Sequence, residues 1–142
     1  MDEKTVAEDI YLELYEYVSD KAEYLQPGGD VQLLLPEAAA AGIVALILVP
    51  FLKGFFEQLG KDLAQTIAKS AHREKAESDS EAVVGELAKN LQAIKNGREK
   101  FPEARQVIYY ELLELGISDA NSRIIAKRSV EIIQERSERN EG

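Results

Sequence analysis

The chain has 142 residues, no cysteine, 30% charged residues and a formal net charge of −9. Such a composition describes one globular unit, or two small ones, able to bury a core unaided, and it excludes a disulfide framework, a thiolate metal site and a cysteine nucleophile. The charge is uneven: residues 1–30 carry nine acids against two lysines, a net of −7, residues 31–78 are neutral overall, and residues 79–142 have a net of −2. An acidic end of this kind repels phosphate backbones and attracts a basic partner.

The acidic, amphipathic start is unlike a signal or transit peptide and points to a cytoplasmic protein. Thr5-Val-Ala-Glu8 predicts a capping box with Thr5 as N-cap, followed by a helix to about Leu25. Val6, Ile10, Leu14, Tyr17 and Val18 form one apolar stripe, and Tyr11, Tyr15, Ala22 and Leu25 widen it to a second face. A helix apolar on two sides packs against its own core and against a second chain. Residues 26–30, QPGGD, break the helix, because proline cannot continue it and the glycines admit turn conformations. Residues 31–35 read as an extended connector, since the chain offers no second strand pattern to pair with them.

Residues 38–52, AAAAGIVALILVPFL, hold no charged or hydrogen-bonding side chain. Pro36 suits the first position of a helix and Glu37 its positive end. Pro50 predicts a kink or break at Leu48–Val49. Beyond it, Phe51, Phe55, Leu59, Leu63 and Ile67 recur every four residues and predict an amphipathic helix over 51–75, with Gly54 and Gly60 marking close approach of another helix. As a helix the uncharged run would span about 22 Å, short of the hydrocarbon thickness of about 30 Å. Its cover is therefore expected to be protein. Lipid is the alternative, supported by the aromatic and lysine faces of the 51–75 stretch, which suit a helix lying in a membrane interface.

Residues 71–81 carry no apolar stripe and separate two halves. Asp79 or Ser80 caps a helix with Val83, Val84, Leu87, Leu91 and Ile94 inward, ending at Asn96-Gly97. Phe101-Pro102-Glu103 opens the next, with Val107, Ile108, Leu112 and Leu115 inward and Gly116 just past its end. Ser118 caps a last helix with Ile124, Ile125, Val130, Ile132 and Ile133 inward. The expected fold is all-α: a bundle of five to six helices with a central, very apolar, Pro-kinked helix. Residues 1–78 form an N-terminal helical half and residues 79–142 a C-terminal three-helix bundle.

No constellation for catalysis stands out. His72, the sole histidine, has no metal-ligating neighbour at helical spacing, and the Glu-x-x-His pattern of helical di-metal sites is missing. Gly28-Gly29 lacks the downstream lysine of a phosphate loop, and no G-x-S-x-G elbow occurs. No catalytic, cofactor or metal residue is assigned, and an enzyme is not expected. The last two helices form a helix–turn–helix unit in which Arg123, Lys127 and Arg128 are candidate nucleic-acid contacts. Ser122 stands where such a unit wants an apolar residue, and Glu131 and Glu135 offset the cations. The reading that fits best is a non-catalytic interaction or assembly module, self-associating most simply as a two-fold dimer, with the acidic first helix steering a basic protein partner. Its candidate contacts are Tyr11, Tyr15, Ala38, Gly42, Leu46, Phe51, Phe55 and Phe56. The alternative is a membrane-active effector inserting residues 38–52, and nucleic-acid binding is a weaker third.

Overall fold

A computed structural model describes residues 2–21, 37–60 and 80–139. They form five α-helices: α1 Glu3–Asp20, α2 Glu37–Leu48, α3 Ser80–Asn96, α4 Phe101–Glu114 and α5 Asp119–Arg139. Three 3₁₀ turns join them, at Val49–Phe51, Phe56–Gln58 and Arg98–Lys100. The all-α architecture is as the periodicities predict. α1 packs against α2, α3 and α5, while α4 and α5 form an antiparallel hairpin. One apolar core runs through all five helices, from Ile10 and Leu14 through Val44 and Leu48 to Leu87, Ile108 and Ile133. Each such side chain contributes about 1.5–3 kcal/mol by leaving water.

α1 begins earlier than its capping box predicts. The Asp2 carboxylate, not Thr5, is the N-cap, accepting the Thr5 N–H at 2.8 Å, and that bond holds the Asp2 carboxyl below its ordinary range. An acid is favoured here twice, as an acceptor for an orphan N–H and as a negative charge at the positive helix end. The far end also differs: Lys21 caps the helix, so it closes short of Leu25. Ala22 and Leu25 lie outside the described residues, as do the predicted breaker at 26–30, the connector at 31–35, Pro36 and His72.

α2 ends at Leu48. Pro50 sits inside the 3₁₀ turn that follows Leu48. The predicted amphipathic helix does not resume at Phe51. Residues 51–60 instead run through tight turns, with the Phe55 and Phe56 N–H groups both donating to Leu52 O and the Leu59 N–H donating to Phe56 O. Gly54 and Gly60 both have φ +92°, which is incompatible with a helix, so their role is conformational and not close helix packing. The four-residue spacing of Phe51, Phe55 and Leu59 buries all three through successive turns, a pattern that mimics a helical stripe. The remainder of the 51–75 stripe, residues 61–75, lies outside the described residues.

The C-terminal hairpin follows its signals closely. The Gly116 N–H donates to Leu113 O at 2.9 Å and the Ile117 N–H to Leu112 O at 3.1 Å, with Gly116 at φ 89°. These are the paired bonds of a Schellman ending, and buried Ile117 supplies the apolar contact that accompanies it. Ser118 then caps α5 by accepting the Asn121 N–H at 3.2 Å. Two predicted core residues point outward: Leu115 is 43% exposed and Ile124 is 53% exposed. Leu115 is the C-cap just past the end of α4, beyond its packed turns. Ile124 lies about 100° around the helix from Ile125, which is the residue that faces the core.

Candidate functional site

Half of the predicted contact residues, Tyr11, Phe51, Phe55 and Phe56, lie inside the protein. Phe51, Phe55 and Phe56 are buried, Phe51 packing against Phe56 at 6.0 Å between ring centroids and edge-on to Phe101 at 5.8 Å. Tyr11 is buried and stacks on half-buried Tyr15 at 6.4 Å, and burial pushes the Tyr11 hydroxyl up from its ordinary pKa. Leu46 is half-buried against the core. Gly42 is half-buried, and among the described residues nothing lies within 4 Å of where a Cβ would stand. Ala38 lies in the first turn of α2, with its side chain outside the described residues. Four of the eight, Tyr11, Phe51, Phe55 and Phe56, are therefore core residues by their burial. The reason is simple: apolar density in a charged chain first marks the core.

The cations of the last helix are equally dispersed. Arg123 is held by Asp119 at 2.9 Å and lies over the Tyr109 ring at 4.8 Å, while the Tyr109 hydroxyl donates to the Asp119 carboxylate. That bond, and then Arg123, keep the Asp119 carboxyl below its usual range; the same bond keeps the Tyr109 hydroxyl above its own. Arg128 lies within 4.0 Å of Glu13, Glu131 and Glu135, and Arg136 also pairs with Glu13. Only Lys127 of the three candidates makes no ion pair among the described residues. Ser122, anomalous for a DNA-reading unit, is buried, its hydroxyl donating to Ile117 O at 3.3 Å and locking the hairpin turn.

Polar side chains from α3, α4 and the turn between them grip the backbone of residues 51–60. Asn90 donates to Phe51 O at 2.6 Å, Lys100 to Phe56 O at 3.2 Å, and Glu103 accepts the Gly60 N–H. Gly97 approaches the same segment so closely that a Cβ there would meet the Phe56 ring at 2.6 Å. This clasp was not readable in sequence, because it joins residues some forty positions apart.

Two surface features remain. The outward face of α1 presents Glu8, Leu12 and Glu16 at four-residue spacing, with Leu12 59% exposed. Sequence reasoning passed over Leu12 because it belongs to neither apolar stripe, although an isolated leucine between two acids at i−4 and i+4 is itself a signal. The second feature is an open groove of about 540 Å³ between the start of α4 and the middle of α5, floored by Phe101, Pro102 and Val130. Among the described residues no group of acids and histidines could hold a metal ion, and no helix is long and apolar enough to cross a membrane. No family model, curated protein or solved structure matches the chain.

Proposed function

We propose that the chain is a non-catalytic helical interaction and assembly module. Its docking element is the outward face of α1, and its partner surface is basic. The observation that carries this reading is the exposed Leu12 between Glu8 and Glu16 on a helix whose other side is core. The helix is already fixed in place by Ile10, Leu14 and Val18, so its outer face is presented without an ordering cost to be met on binding. The apolar residue would supply contact area, and the acids would supply steering and orientation. The first assembly to expect is a homo-oligomer.

Light scattering on detergent-free protein over a wide concentration range tests the reading. The expected result is a soluble species whose mass rises with concentration and falls as salt is added, because the exposed charges are screened. The double variant Glu8→Lys/Glu16→Lys is expected to lose that rise. A species that stays monomeric and co-sediments with anionic vesicles would favour the membrane-active alternative, in which residues 38–52 leave the core.

A further inference from the structure

We infer that the groove between α4 and α5 is the receptor for the α1 face of a second copy of this chain. The inference rests on the reading of α1 as the docking element and adds where it docks. The groove floor, Phe101, Pro102 and Val130, is apolar, and its rim carries Arg105 on α4 and Lys127 on α5. Neither cation has an ion-pair partner among the described residues. The other rim charges are largely committed: Arg98 is bound to Glu138 at 2.9 Å, and Glu131 to Arg128 at 3.5 Å. Glu99 is the remaining rim carboxylate. What the rim offers a ligand is therefore cationic, on a chain whose overall charge is −9.

The α1 face is the counterpart. Glu8 and Glu16 flank Leu12 one helical turn away on either side, about 6 Å along the axis in each direction. Neither acid has an ion-pair partner among the described residues. An apolar centre between acids thus meets an apolar floor between cations, which is the pattern of an amphipathic helix in a groove. The chain's own α1 is not the occupant. It lies along a different side of α5, tied there by Glu13 to Arg128 and Arg136, whereas Lys127, Val130 and Gln134 line the groove. Face and groove are distinct surfaces of one molecule, so two copies that dock reciprocally form a two-fold dimer, and copies that dock one way only form a chain or a ring.

A mixing experiment tests this. Glu8, Glu16, Arg105 and Lys127 are all exposed, so Glu8→Lys/Glu16→Lys and Arg105→Glu/Lys127→Glu are expected to keep the helical circular dichroism and melting temperature of the parent. Each double variant alone should self-associate about tenfold or more weakly than the parent by light scattering. An equimolar mixture should regain association, because each face then meets a groove of opposite charge. If the α1 variant loses association while the groove variant keeps it, the face docks elsewhere: the groove assignment falls and the proposed function stands. If the parent associates and neither variant changes that, the α1 docking reading falls as well. A parent chain that is monomeric at every concentration overturns the second-copy assignment, and binding of a basic partner to the α1 face would then carry the proposed function alone.

Discussion

Asn90 on α3 donates its side-chain amide to the Phe51 carbonyl at 2.6 Å, and both residues are buried. The bond satisfies a carbonyl just past the end of α2, where the chain can no longer supply its own partners. Asn90→Ala would leave that carbonyl without its donor in an apolar setting, costing about 1–3 kcal/mol of stability. Urea denaturation monitored by circular dichroism should show the lowered midpoint. An unchanged midpoint would mean that the clasp on residues 51–60 does not contribute.

α5 contains an opposite case. Ser129 is fully buried, and its hydroxyl has no hydrogen-bond partner among the described residues, whereas the hydroxyl of buried Ser137 reaches Ile133 O. Removing an unsatisfied buried hydroxyl relieves its desolvation cost, so Ser129→Ala should raise stability by about 1 kcal/mol. Ser122→Ala, which breaks the bond to Ile117 O, should lower it by a similar amount. Denaturation midpoints moving in the same direction for both would contradict this assignment.

Two glycines should respond with opposite signs to alanine. Gly116 ends α4 at φ 89°, a conformation that costs a residue with a Cβ about 1–2 kcal/mol. Gly85 lies within α3 with nothing among the described residues inside 4 Å of a Cβ position. Gly85→Ala should therefore stabilise the protein by about 0.5–1 kcal/mol, through a smaller loss of backbone entropy on folding. Thermal melts of the two variants, one on each side of the parent, are the check.

The Tyr109–Asp119 bond fixes how the α4–α5 hairpin responds to pH. Asp119 has a lowered folded-state pKa, first through that bond and then through Arg123. Its contribution is therefore complete above the unfolded carboxylate value and is lost as pH falls through the lower folded value. Tyr109 has a raised folded-state pKa, first through the same bond. Its contribution is complete below the unfolded phenol value and is lost as pH rises through the folded one. The stability difference between the parent and Tyr109→Phe should be flat through neutral pH and shrink below about pH 4 and above about pH 10. Denaturation midpoints of both proteins across pH measure this, and a difference that did not vary with pH would show that the bond contributes nothing.

The helices were legible wherever one residue pattern dominated. The stripes of Val6, Ile10 and Leu14 and of Leu87, Leu91 and Ile94, and the Gly116 and Ser118 signals between the last two helices, are local facts that local structure obeys. The reading failed where two local codes competed. Asp2 offered a better cap than Thr5, and the spacing of Phe51, Phe55 and Leu59 fits successive turns as well as a helix. The site was less legible for a different reason. Aromatic residues read equally well as contacts or as core, and Tyr11, Phe51 and Phe56 belong to the core. The outward Leu12 and the groove rim became visible only once the buried faces were known.

The central claim is that residues 40–52 are covered by this chain's own helices, which leaves the surface of α1 to meet a partner. Amide hydrogen exchange of residues 40–52 in detergent-free buffer, with and without anionic vesicles, tests it most directly. The account predicts exchange as slow as that of the buried stretch of α3 around Leu87–Ile94, unaffected by vesicles. Rapid exchange in buffer that becomes slow only when vesicles are added would contradict it.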